Sequence, residues 1–354
     1  MKACGTCQRR FVDEQETCPL DETLLETTSG KTPPGLGRVL GSYRLVSLLG
    51  EGGMGSIYIG AHTRLNRYVA IKILRPELRN RKENVARFFE EARTINRIKH
   101  PNIVESIDLV EDVVDGAYCV LELLRGPDLK TRLATGQMSV DSTIHIGAQI
   151  GDALAAVHAL DIVHRDLKPD NLILINRGGR DDFVKLIDFG VAQISEEGAT
   201  GIPFGTAAYM APEQAAGERV DGRADVYSLG VLLFQMATGQ HPFPSNSDNE
   251  YLLRHADDPP PRPSKLAPMP RVLEAVILRC LEKTPDQRYA SAAAVAVALR
   301  AIDAKAAAGG KRWKWALGGL LFAASAAATA VFVPRYLAAG PPANAATVPP
   351  RAHH

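Results

Sequence analysis

Residues His164-Arg165-Asp166-Leu167-Lys168-Pro169-Asp170-Asn171, with Asp188-Phe189-Gly190 downstream, set a base, a cation and two oxygen donors on one short stretch. That combination suits phosphoryl transfer. An attacking hydroxyl must lose its proton beside the phosphoryl group it meets, which is work for Asp166. Lys168 offsets charge developing on the phosphate. Asn171 and Asp188 offer oxygen ligands to Mg2+, a hard cation that prefers oxygen. A lone His-Arg-Asp triplet would say little, but the whole run is specific.

At these residues the chain resembles the eukaryotic-like bacterial serine/threonine protein kinases, and further segments follow that family's order. Gly50-Glu51-Gly52-Gly53-Met54-Gly55-Ser56-Ile57 lies between apolar runs at 43–49 and 57–59, which reads as strand, glycine turn, strand. Glycine lets backbone N–H groups approach phosphates that a Cβ would obstruct. Gly-x-Gly-x-x-Gly alone is weak. A strand after it argues against a dinucleotide fold, which needs a helix there. Val69-Ala70-Ile71-Lys72 then reads as the strand carrying the phosphate-binding lysine, with Ala70 in the ATP site. Alone, Lys72 would be an ordinary solvated strand lysine. Its distance from the glycine turn sets that reading aside.

Lys72 needs a carboxylate to hold it. A helix over about 83–99 contains Glu90 and Glu91. Phe88 and Ile95 lie at i−3 and i+4 from Glu91, so Glu91 shares their inward face. Glu90 points with Ala86, Thr94 and Arg97, a more polar side.

The resemblance implies the rest of the site. On the apolar strand 118–124, Leu121 guards the back of the pocket, while the main chain of Glu122 and Leu124 binds adenine and Asp128 reaches the ribose. Taken plainly, these residues are a core strand and a turn. The segment 205–213 implies a resting surface for a substrate peptide, with Thr206 contacting Asp166 and Lys168. Asp225 anchors the catalytic loop, and Arg288 pairs with Glu213. Lys168 and this segment point to serine/threonine acceptors rather than tyrosine or a small molecule. Arg165 implies control by a phosphate on the activation segment, where Ser195 and Thr200 are the hydroxyl candidates, with Thr200 central. Autophosphorylation in trans through a homodimer belongs to the same expectation.

The expected architecture is α+β, a bilobal protein kinase fold with a small β-rich lobe and a larger helical one, holding ATP and Mg2+ between them. The 354 residues have room for a catalytic domain of about 260, placed at 41–303. A net charge of +1 and 6% aromatic residues give no case for nucleic acid. A pseudokinase scaffold and a small-molecule kinase are the rivals. The first lacks support because Lys72, Asp166, Asn171 and Asp188 are all present, and the second because of the 206–213 segment.

Flanking segments carry other chemistry. Cys4-Gly5-Thr6-Cys7 and Cys18-Pro19 have zinc-ribbon spacing over residues 1–26, with Asp21 where a fourth cysteine would stand. Zn2+ binding, a decayed ribbon, and redox or disulfide use are the readings, zinc foremost. Cys119 and Cys280 read as core residues. Residues 27–40 read as linker. No apolar stretch opens the chain, so no export signal is expected. A basic segment at 304–315, including Lys311-Arg312-Trp313-Lys314-Trp315, precedes an uncharged run at 316–333. That run is near the minimum length for a membrane helix, and the charges put its N-terminal side in the cytoplasm. A surface or partner helix is the alternative. Residues 334–354 read as a disordered tail. Together these place the chain in a bacterial cytoplasmic membrane as a single-pass protein with its catalytic domain in the cytoplasm.

Overall fold

A strand-rich small lobe and a helical large lobe make up the compact unit Met1–Ile302, the α+β arrangement expected. The computed structural model describes residues 1–29, 32–112, 116–188 and 206–302. Phe189, Gly190, Ser195, Thr200 and Gly205 lie outside them, as do the segments 304–315, 316–333 and 334–354. Among the described residues no helix is long and apolar enough to cross a membrane.

The small lobe is one antiparallel sheet of β1 (Lys2–Ala3), β2 (Arg10–Phe11), β3 (Glu26–Thr27), β4 (Val39–Leu40), β5 (Tyr43–Glu51), β6 (Gly55–His62), β7 (Tyr68–Leu74), β8 (Ser106–Asp112) and β9 (Gly116–Glu122). Its order is β3-β1-β2-β5-β6-β7-β9-β8, with β4 also on β5. The first three strands belong to the cysteine-bearing knuckle, which is therefore part of the lobe. Two helices cross over between β7 and β8: α1 (Pro76–Arg79) and α2 (Lys82–Arg97). Phe88, Phe89, Ala92 and Ile95 recur at helical spacing, and that stripe buries α2 against the sheet and the large lobe.

The segment before β5 wraps this strand from both sides. Phe11, Cys4 and Cys18 pack on Val46 and Ile59. Ile59 pairs with Ala70, so the knuckle shares the sheet face that roofs the cleft. On the opposite face, Leu36 and Leu40 pack with Leu45, Tyr58 and Ile71, and the Tyr58 hydroxyl donates to the Pro34 carbonyl at 2.8 Å. The 27–40 stretch, read as linker from its Thr, Ser, Gly and Pro content, thus supplies β4 and a fully buried Leu40. Its three aliphatic residues, Leu36, Val39 and Leu40, are too few to register as a pattern.

The large lobe contains α3 (Leu129–Ala134), α4 (Val140–His158), the hairpin β10 (Leu172–Arg177) and β11 (Arg180–Leu186), then α5 (Pro212–Ala215), α6 (Gly222–Thr238), α7 (Asp248–Asp257), α8 (Arg271–Cys280) and a last helix over 292–302. Asp221 caps α6 through the Arg223 N–H, and Gly239 ends it at φ +72°, a conformation glycine adopts freely. Nearly all of α6 is buried, as its apolar character on every side requires. Cys119 and Cys280 are core residues.

Candidate active site

A cleft of ≈ 450 Å³ opens between the lobes. Lys72, on β7, reaches into it from a register opposite Ile57 and Cys119. Its Nζ donates to Glu91 Oε1 and Asp188 Oδ1, both at 2.9 Å. Glu91 is 5% exposed on the inner face of α2, whereas Glu90 is solvent-facing beside Arg93. Burial opposes the charge on Lys72, but Asp188 and then Glu91 outweigh it and hold the ammonium's pKa up. Burial would likewise raise the Asp188 carboxyl; the Lys72 charge reverses that and keeps it below its usual range.

Opposite Lys72, the catalytic loop is set by groups from distant parts of the chain. Asp225, buried at the start of α6, accepts from the backbone N–H of His164 at 2.8 Å and of Arg165 at 2.9 Å. Its Oδ2 also meets His158 Nε2 at 2.7 Å. Burial alone would raise the Asp225 carboxyl, but the bond and charge of His158 bring it down. Gln214 donates to the Arg165 carbonyl at 2.8 Å. Arg165 at φ +64° and Asp188 at φ +52° occupy the left-handed region, which costs a non-glycine residue about 1–3 kcal/mol. These buried bonds hold the loop in that shape at Arg165.

Asp166 is thereby aimed at the cleft mouth. Its Oδ2 accepts from Lys168 at 2.6 Å, and its Oδ1 accepts from both the N–H and hydroxyl of Thr206 at 3.0 Å. Lys168 also donates to Thr206 Oγ1 at 3.1 Å. The Asn171 amide donates to the Asp166 carbonyl at 2.9 Å, which leaves Oδ1 as its acceptor atom. That oxygen and the Asp188 carboxylate form a hard donor set that fits Mg2+. Below the loop, Arg288 and Glu213 make a buried two-pronged pair at 2.7 and 2.8 Å.

The nucleotide candidates divide. Gly50, Glu51, Ile57, Ala70, Leu121, Glu122, Leu124 and Asp128 line the cleft, whereas Gly52, Gly53, Met54, Gly55 and Ser56 do not. Gly55 is required for another reason than phosphate approach: a Cβ there would stand 2.2 Å from the Ile73 carbonyl. Gly126 is a further obligatory glycine, its Cβ position 1.8 Å from the Leu174 carbonyl. The Asp128 side chain caps α3 through the Thr131 N–H at 2.7 Å, so one of its oxygens is engaged there. The Glu122 N–H goes to the Glu105 carbonyl at 3.0 Å, which leaves base contact to its own carbonyl.

Sequence reasoning overlooked His158, Gln214 and two cleft-lining knuckle residues, Arg9 and Leu20. The knuckle itself is a tandem of two like halves. Gln8 N–H bonds the Cys4 carbonyl and Cys4 N–H the Arg9 carbonyl; Glu22 and Cys18 repeat this with Thr23. Gln8 and Glu22 sit at φ +59° and +62°. Asp21 thus takes the place in the second half that Cys7 has in the first. The ligand atoms of Cys4, Cys7, Cys18 and Asp21 lie within 4.8 Å of one another, and the Cys7 and Cys18 sulfurs are 3.7 Å apart. Bonds of about 2.3 Å to a tetrahedral ion give edges of about 3.8 Å, so the set fits Zn2+.

A family model described as a protein kinase domain matches residues 43–298. Serine/threonine-protein kinase Pkn1 of Myxococcus xanthus is 41% identical over 316 residues, covering 84% of this chain and 45% of that protein. Serine/threonine-protein kinase pkn3 of the same organism is 36% identical over 272 residues, covering 74% of this chain and 50% of that one. The chain spans about half the length of these two relatives. The crystal structure of the Mycobacterium tuberculosis PknI kinase domain resembles it with a TM-score of 0.57 at 26% identity, covering 76% of this chain and 99% of that one.

Proposed function

Because this chain belongs to the protein kinase family, we propose that it is an active serine/threonine kinase, passing the γ-phosphoryl group of ATP to hydroxyls of cytoplasmic proteins. The observation that carries this is the Lys72 ammonium seated between Glu91 and Asp188, an ion pair that working kinases need. In this reading Lys72 holds the nucleotide's phosphates and Asp166 takes the proton of the acceptor hydroxyl. Lys168 bears on the transferred group, and Thr206 steadies the base. Mg2+, held by Asn171 and Asp188, would neutralise charge on the phosphate oxygens. The relatives' names as serine/threonine kinases support the acceptor class. A pseudokinase scaffold has no such support in the site. Asp166→Asn and Asp188→Asn should each lower kcat at least about a hundredfold in folded protein. Undiminished turnover in either would sink the proposal.

Three finer readings accompany it. The knuckle binds one Zn2+ through Cys4, Cys7, Cys18 and Asp21; elemental analysis finding no metal in chelator-free protein would refute this. Residues 316–333 span the cytoplasmic membrane once, so a reporter after Ala339 should lie outside and one near Asp303 inside. The chain phosphorylates itself, with Thr200 the main site in the activation segment. Mass spectrometry after incubation with ATP should find its phosphate in the active chain and not in Lys72→Ala.

A further inference from the structure

The cleft has a wall that a two-lobed catalytic domain does not itself supply. Arg9 and Leu20, one from each half of the knuckle, line it beside Leu49, Gly50, Leu123 and Leu124. Arg9 Nη1 donates to the Leu49 carbonyl at 2.9 Å, at the residue where β5 enters the glycine turn. The Arg9 carbonyl is tied to the Cys4 N–H at 3.0 Å, so the side chain springs from the locked part of the knuckle. Leu20 packs in one apolar cluster with Leu49 from the roof and Leu123 from the segment joining the lobes. On the same side Glu22 meets Arg125 at 3.1 Å, an exposed pair of small worth. The knuckle thus bridges the roof and the back of the cleft at the end where the base is expected.

We propose that Arg9 and Leu20 are nucleotide-positioning residues. Arg9 fixes the strand above the glycine turn through the Leu49 carbonyl, while Leu20 closes the apolar rim over the base. The proposal rests on ATP being the ligand of this cleft. It makes the knuckle part of the ATP site rather than an appendage.

The test uses the full chain. ATP affinity is read by calorimetric titration, apart from turnover, and KM and kcat are read with a peptide acceptor. Arg9→Ala should weaken ATP binding and raise KM for ATP about tenfold, with kcat within about twofold. Arg9→Lys can still reach the Leu49 carbonyl with a single donor and should recover part of the loss. Leu20→Ala should cost about threefold in affinity. A thermal melt checks that each variant folds; should Arg9→Ala melt early, Arg9→Lys and Leu20→Ala decide. ATP affinity within twofold of the unaltered chain in folded Arg9→Ala and Leu20→Ala overturns the inference and leaves the kinase reading standing. An unaltered chain that does not bind ATP overturns the ATP reading itself.

Discussion

At the loop bearing Asp166, Asp225 takes two backbone N–H groups, Gln214 bonds a carbonyl, and Thr206 and Lys168 grip the Asp166 carboxylate, the base of the proposed reaction. At the glycine turn, a Cβ at Gly50 or Gly53 would meet nothing within 4 Å, and the bonds that hold it are mostly backbone ones, such as Gly52 N–H to the Gly55 carbonyl at 2.8 Å. The two face one cleft with opposite mechanical characters. A base must hold its position to a fraction of an ångström, since misplacement by about 1 Å can cost a hundredfold in rate. A phosphate cover must yield to let nucleotide in and out, so it is held at its ends and left open between.

The sharpest way to break that contrast is Asp225→Asn. The amide keeps one acceptor oxygen and loses the charge, so one N–H of the loop goes unpaired. We expect kcat to fall about a hundredfold while KM for ATP scarcely moves. Unchanged kcat in folded protein would mean the loop holds its shape without this anchor. On the other side, Gly55→Ala should cost about 1–3 kcal/mol of stability, because its Cβ would collide with the Ile73 carbonyl. Gly53→Ala, with open space around it, should leave the denaturation midpoint nearly where it was. Equal effects from the two would show that the turn is packed throughout.

Acid sharpens the comparison more gently. Burial drives the His255 imidazole down to about 3, and His241 is lowered for the same reason. His255 faces Tyr227, Lys283 and His241, and both imidazoles bond the carbonyl of Ala208, within the 206–213 segment. A histidine neutral when folded and protonated when unfolded stabilises fully above about pH 6.5 and loses that contribution as pH falls. For His255 the loss runs down to about pH 3, at most about 1.4 kcal/mol per pH unit. Thermal melts from pH 7.5 to 5 should therefore show a falling midpoint, and His255→Gln should flatten the slope. A flat profile in the unaltered chain would remove this account.

What the sequence disclosed follows from where each signal resides. Lys72 and Glu91 were legible because strand context and helical spacing decide which way a side chain points. Asp166, Lys168 and Asn171 were legible because they lie within six residues of one another. His158 was hidden because its partner is 67 residues away, and Gln214 because it bonds a backbone carbonyl 49 residues off. A backbone atom has no residue type to recognise. Arg9 was hidden in the same manner, its carbonyl partner standing 40 residues further along. The glycine turn was recognised, but not the crowding against β7 that demands Gly55.

The wrapping of β5 has a consequence for how this protein behaves in a crowded solution. Strand edges with free N–H and C=O groups recruit other strands, and apolar neighbours make the recruitment hard to reverse. Here β2, β4 and Arg9 occupy that edge, while the knuckle covers Val46 and Ile59. A chain cut back to begin at Gly41 would uncover both at once. Such a fragment should self-associate strand to strand, and its aggregation would be the loss of a natural shield rather than a failure of the catalytic fold.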